Sequence, residues 1–294
     1  MLHIFEHALL DSVKLLPFLF LTYLVMEYIE DHAEEKTEHA IKKSGKFGPI
    51  IGGVLGIIPQ CGFSAAVASL YAGRVVTLGT MIAIFLATSD EMLPILIGAM
   101  AKDATTAASG VVITAAIIAK ILVLKVVVGV VAGLVIDFVQ RRRKKEDEHF
   151  HIHDLCEQDH CHCEKGILHS AISHTLQIFA FILIITVALN MVLHYVGEEN
   201  LGNIILNHPI LGEVLAGFVG LIPNCAASVA LTQLYVEGAM SGGAMMAGLF
   251  VSAGVGVLVL CRSNRRPKEN VKIIALLYAI GVGAGILVNV VGLL

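Results

Sequence analysis

Apolar residues in this chain gather into blocks about 20 residues long, the length a helix needs to cross a bilayer. No soluble core calls for such stretches one after another. The composition agrees: 56% of the 294 residues are hydrophobic and 15% are charged, where a soluble domain carries about 25% charged residues. This excludes a soluble enzyme and a disulfide-stapled secreted module. The net charge of −4 offers no basic footprint for nucleic acid. Trp is absent, so any aromatic interface belt rests on Tyr and Phe. The opening residues, MLHIFEHALLDSVK, lack a basic n-region and a small-residue cleavage site, so no cleavable signal peptide is expected.

The blocks come in two matching series. The first runs Ser12 to Ile29, then Gly48 to Tyr71 with a break at Pro59-Gln60-Cys61-Gly62. It continues from Thr77 to Met100, interrupted by Thr88-Ser89-Asp90-Glu91 and Pro94, and then from Ala107 to Val139, which leads into the basic run Arg141 to Lys145. A polar loop follows to about Lys165. The second series runs Leu168 to Val196, Pro209 to Tyr235 with a central Pro223-Asn224-Cys225, Ser241 to Cys261, and Val271 to Leu294. GLIPNCAASVALTQLY (220–235) aligns with GIIPQCGFSAAVASLY (56–71) without a gap, sharing Gly, Ile, Pro, Cys, Ser, Leu and Tyr. Gly129, Gly133 and Asp137 align with Gly281, Gly285 and Asn289, and Glu27 aligns with Asn190. The Gly-x-x-x-Gly stripes are expected to pack helices closely. The chain is therefore read as two internal repeats.

Charge orients them. If each Pro-x-Cys block is a re-entrant hairpin that enters and leaves on one side, each repeat keeps three full crossings, and an odd number inverts the second repeat. Every basic cluster then falls on the cytoplasmic side, in 30–47, 140–167 and 262–272. Full crossings at those blocks would split the clusters between the two faces. The expected fold is an all-α polytopic membrane protein of two inverted repeats. Each has three transmembrane helices plus one re-entrant helical hairpin, ten helical segments in total. Residues 1–140 form the first repeat, 141–166 a cytoplasmic His/Cys-rich linker, and 167–294 the second repeat.

Backbone left unpaired at membrane depth is tolerated only inside protein or beside a water-filled cavity. Two such tips from inverted repeats should meet near the midplane, where transporters hold substrate. They offer Gln60, Cys61 and Ser64 from one half and Asn224, Cys225 and Ser228 from the other. Asp90 and Glu91 fall inside an apolar span, where a carboxylate costs at least about 2.5–3.5 kcal/mol. Such acids require a cation, a proton or a Lys partner, and Lys120 or Lys125 could pair with them structurally. Their counterparts are Gly254 and Val255, so this acid function occurs once per chain. Thr88 and Ser89 flank the acids. Glu27, Asn190, Asp137 and Asn289 are secondary positions, because the first half places acids where the second places amides. Carboxylate oxygens suit Mn²⁺ and similar cations, and Cys adds softer selectivity.

The six Cys do not read as a disulfide framework. Cys61, Cys225 and Cys261 lie in or beside apolar segments. The loop HFHIHDLCEQDHCHCEK holds His149, His151, His153, Cys156, His160, Cys161, His162 and Cys163, ligand types that suit Zn²⁺ and similar ions. Their spacing is not that of a rigid zinc finger. Metal capture by a flexible loop is expected, beside the plainer reading of a solvated linker. No nucleotide-binding loop or Ser-His-Asp arrangement is present, and an ATP motor has no room, so an enzyme is not expected.

The chain resembles a family of bacterial and archaeal membrane proteins described as manganese transporters or ten-span heavy-metal exporters. The resemblance rests on PFLFLTYLVMEYIE (17–30), residues 56–96, KVVVGVVAGLVID (125–137) and GLIPNCAASVALTQLY (220–235). It implies metal efflux, and some relatives carry an arsenical-transport label. The resulting expectation is a multi-pass inner-membrane exporter of Mn²⁺, Zn²⁺ or another transition metal, working by alternating access. Its partners are the lipid bilayer, the metal ion as substrate, protons as the coupling ion and further copies of itself in a homo-oligomer, with no nucleic acid and no resident cofactor. The competing readings are an arsenite or organic-solute permease and a membrane metal sensor.

Overall fold

The computed structural model describes residues 47–57, 61–88, 92–103, 113–143, 210–264 and 266–294, with isolated positions within 17–24 and 172–187. Among these residues the chain forms helices and no strand. The first half contributes α1 (Gly48–Leu55), α2 (Cys61–Ala72), α3 (Leu78–Ala87), α4 (Met92–Asp103) and α5 (Ala115–Arg143). The second contributes α6 (Leu211–Gly220), α7 (Cys225–Val236), α8 (Gly242–Val251), α9 (Gly256–Ser263) and α10 (Pro267–Val291). The two lists run in the same order with similar lengths. The expected leading spans of each half, Ser12–Ile29 and Leu168–Val196, lie largely outside the described residues, as does the 149–163 loop.

The core is built around α3 and α8. Every residue of α8 and every residue of α3 from Gly79 onward is buried. A helix that is apolar all round belongs inside a bundle. α3 is flanked by α1 and α5, and α8 by α6 and α10, so the two halves share one packing plan. Matched caps start the two central helices: the Thr77 side chain accepts from Thr80 N at 3.1 Å, and Ser241 accepts from Ala244 N at 3.2 Å. The small-residue stripes let the long helices close in. A Cβ on Gly129 would stand 2.6 Å from the Ala83 carbonyl oxygen, and one on Gly285 would stand 2.7 Å from that of Gly243. In contrast, α5 turns Val123, Val127, Val131, Val135 and Phe138 outward, each more than half exposed. That face is unfavourable in water but at home against acyl chains.

The helix boundaries refine the sequence reading. The span expected to run unbroken from Ser241 to Cys261 is interrupted at Ser252–Val255. Ser252 N makes the last helical bond, to Gly248 O at 2.9 Å, and Ala253 N then turns back to Val251 O at 2.9 Å. Gly254 follows at φ +53°, a conformation that favours glycine. Both halves therefore carry a helix broken at the same aligned place, after Ala87 and after Val251. The stretch expected from Ala107 to Val139 is helical from Ala115 to Arg143, with Thr114 Oγ1 accepting from Ile117 N at 3.3 Å at its start. The last helix begins at Pro267 rather than Val271, because Pro is already set for the first helical position.

Candidate functional site

The return helix of the second half, α7, begins at Cys225 of its Pro-x-Cys block, and α2 is described from the aligned Cys61. The backbone between α6 and α7 is not helical, and Asn224 is the N-cap residue of α7. Its side-chain oxygen accepts from Ala226 N at 3.2 Å, which commits that oxygen to holding the helix start. Ser64 and Ser228 sit in the first turns of α2 and α7, 0% and 5% exposed. The side chains of Cys61 and Cys225, and all of Gln60, Ser89, Asp90, Glu91, Glu27 and Asn190, lie outside the described residues.

The halves cross over at these turns. α9 packs against α2, and α4 against α7. Gly256, the first residue of α9, faces Ser64: an added Cβ would meet the Ser64 Cβ and carbonyl oxygen at 2.9 Å and the Phe85 ring at 3.0 Å. The helix break of the second half therefore abuts the hairpin helix of the first. Helix starts carry the positive end of the backbone dipole. Asp90 and Glu91 lie in the chain between α3 and α4, outside the described residues. Thr88 is buried, and its hydroxyl donates to the Ile84 carbonyl at 2.6 Å, which secures the last turn of α3.

Of the secondary positions, Asp137 is committed to the scaffold. It is 5% exposed and accepts from Thr77 Oγ1 at 2.7 Å and from Gly79 N at 2.8 Å, holding the start of α3. Asn289, its aligned partner, donates instead to Glu213 Oε1 at 2.6 Å. Glu213 is 1% exposed, and its Oε2 has no hydrogen-bond partner. Sequence reasoning missed this acid because its aligned position is Pro49. Glu213 qualifies the pattern of acids in the first half and amides in the second, since the second half carries its own buried carboxylate against the aligned amide.

Two further features were not legible as contacts. Lys125 is 1% exposed, and its ammonium donates to the Leu249 carbonyl at 2.8 Å. Lys120, by contrast, donates to Leu293 O at an exposed site. Arg74 forks onto Glu269 at 2.9 and 3.0 Å, and the Tyr71 hydroxyl donates to the same carboxylate. This cluster ties the turn after α2 to the first turn of α10. Among the described residues no group of three or more His, Cys, Asp or Glu side chains could hold a metal ion.

Four helical stretches are long and apolar enough to cross a membrane: Leu78–Met100, Ala115–Arg142, Gly242–Ser263 and Pro267–Val291, the first and third counted through their breaks. No curated protein and no solved structure matches the chain. A family described as "Putative, 10TM heavy-metal exporter" matches residues 4–195, which take in the first Pro-x-Cys block and stop short of the second. With most of its length matched, and with apolar helices of membrane-crossing size, this chain is a multi-pass membrane protein that belongs to the ten-span heavy-metal exporter family.

Proposed function

We propose that the protein exports a divalent transition-metal cation, Mn²⁺ or a close relative, by alternating access. In this reading the ion binds near the midplane where the two Pro-x-Cys turns meet the two helix breaks. Gln60, Cys61, Ser64, Asn224, Cys225 and Ser228 line that region, and Asp90 and Glu91 supply its negative charge. The carrying observation is the crossover itself, with Gly256 at the second break seated on Ser64 of the first hairpin.

Dimensions support re-entrant hairpins. At about 1.5 Å per residue, the eight residues of α1 reach about 12 Å and the twelve of α2 about 18 Å, against a hydrocarbon core of about 30 Å. Gly48 and Gly52 face Thr80 and Ile84, and Gly56 faces Ala87, so α1 and α3 run in the same direction. The turn from α2 to α3 spans only 73–77, so α2 ends on the side where α1 began. Each half then keeps three crossings, and the second repeat is inverted. The basic clusters lie on one face, which becomes the cytoplasmic side of the plasma membrane. The 149–163 loop joins the repeats there and captures metal. Protons leave a carboxyl as the cation arrives, which couples export to a proton gradient.

The test is flux into proteoliposomes under a set pH gradient, with Mn²⁺, Zn²⁺ and arsenite offered in turn. Mn²⁺ or Zn²⁺ movement that is lost in an Asp90→Asn, Glu91→Gln double variant supports the reading. Metal flux that survives the double replacement sinks the carboxylate role. Arsenite flux that depends on Cys61 and Cys225 alone would replace the metal reading with a thiol-based permease.

A further inference from the structure

The outward face of α5 does not end in apolar side chains. Val127, Val131, Val135 and Phe138 follow one another at steps of four and three residues, each more than half exposed. Arg142, four residues after Phe138, continues the same line and is itself exposed. Its guanidinium lies 4.5 Å from the centre of the Phe138 ring. Among the described residues no carboxylate pairs with it. Lys120, near the start of α5, and Arg142, near its end, are 22 positions apart. That is about 33 Å of helix, against a hydrocarbon core of about 30 Å. Arg142 therefore stands at headgroup level, and Phe138, one turn earlier, stands among the acyl chains. The ring covers one face of the guanidinium plane and leaves its N–H edges open, a fork that matches two oxygens of one phosphate. The helix dipole favours a base in this turn, but Arg141 and Arg143 serve it equally. It does not account for a guanidinium laid on a lipid-facing ring. The repeat supplies the contrast. By the Gly129–Gly281 alignment Phe138 corresponds to Val290 and Arg142 to Leu294. The aligned end of α10 exposes Val290 and has no base in its last turn, so close packing of the long helices does not call for the Phe–Arg pair.

We propose that Phe138 and Arg142 seat the phosphodiester headgroup of an anionic phospholipid in the leaflet at the C-terminal end of α5. One acyl chain lies along the Val127–Val135 stripe, and the Arg142 fork takes the phosphate. The basic run Arg141 to Lys145 sets the preference for a net negative headgroup over a zwitterionic one, as clusters of bases beside a membrane helix do.

The test does not depend on metal transport. The full-length protein in detergent is titrated with phosphatidylglycerol, with phosphatidylcholine and, separately, with inorganic phosphate, and bound molecules are counted by native mass spectrometry. The wild type should retain phosphatidylglycerol saturably and in preference to phosphatidylcholine. Lys145→Gln removes one base away from the ring and should weaken phosphatidylglycerol about fivefold, the share of a single base near an anionic surface. Arg142→Gln loses the same charge and also the fork, and should weaken it several times further. Arg142→Lys keeps the charge without the fork and should fall between wild type and Arg142→Gln, and Phe138→Ala should also weaken binding. Phe138 and Arg142 are exposed, so these substitutions do not open the core. Equal losses in Arg142→Gln and Lys145→Gln overturn the seat, because a diffuse field then suffices. Equal retention of the two lipids overturns the charge preference. Retention of inorganic phosphate with no preference between the lipids makes this a free-anion site and overturns the lipid assignment.

Discussion

Arg74 sits where a glycine belongs, and the reason can be tested. α2 ends with Arg74 N bonded to Tyr71 O and Val75 N bonded to Leu70 O, both at 2.9 Å. α7 ends with the same pair of bonds, Gly238 N to Tyr235 O and Ala239 N to Leu234 O. This is the helix end whose capping residue adopts the left-handed conformation, usually as Gly. Gly238 has φ +74° and Arg74 has φ +59°. A residue with a Cβ gives up about 1–2 kcal/mol in that conformation. What offsets it is the fork onto Glu269, with side chains 15% and 26% exposed. Exposed pairs contribute about 0–1 kcal/mol, and fully buried pairs lose about 3–5 kcal/mol when one partner is removed. At this partial exposure we expect about 2 kcal/mol for Glu269→Gln. Arg74→Ala loses the pair and keeps the strain. Arg74→Gly loses the pair and relieves the strain, at about 0.5–1 kcal/mol of added chain entropy. The glycine variant should therefore be more stable than the alanine variant by about 0.5–1 kcal/mol. Thermal melts in detergent, with the double variants of each with Glu269→Gln, measure both quantities. An alanine variant that melts at or above the glycine variant refutes the strain argument. An unchanged Glu269→Gln refutes the claim that this pair ties the halves together.

Other consequences can be checked the same way. Gly256→Val forces a side chain into the Ser64 and Phe85 contacts, an overpacking of about 1–3 kcal/mol, and should abolish metal flux while circular dichroism shows helicity retained. Asp137→Ala strips the start of α3 of two bonds to a carboxylate and should lose about 2–3 kcal/mol in thermal melts, while Asp137→Asn, which can still accept, should lose less. Deleting residues 149–163 should leave flux at saturating Mn²⁺ intact and weaken its apparent affinity; complete loss of function would favour a sensor. Cys61→Ser with Cys225→Ser should reduce Zn²⁺ flux more than Mn²⁺ flux in a competition assay, since thiolate favours the softer ion.

The chain's local patterns carry most of the helix inventory. Block length marks the spans, and the second Pro-x-Cys motif marks where α7 begins, because Pro cannot continue a helix. The Gly-x-x-x-Gly stripes announce close packing, and α5 and α10 deliver it. The break after Val251 was less visible. Its residues, Ser252 to Val255, are small and apolar enough to pass for helix, whereas the first break is flagged by Asp90 and Glu91. Glu213 falls outside the acid–amide pattern because its aligned residue is Pro49 and it reaches Asn289 from a different helix.

What the sequence by itself determined is the membrane as solvent, the two-fold repetition and the family, since each depends on composition or on short-range order along the chain. Tertiary structure decided which residues share a site. Lys125 lies 124 positions from the carbonyl it meets, and Arg74 lies 195 positions from Glu269. No periodicity encodes such pairs. They exist because the two halves cross over, placing the helix break of one repeat against the hairpin of the other.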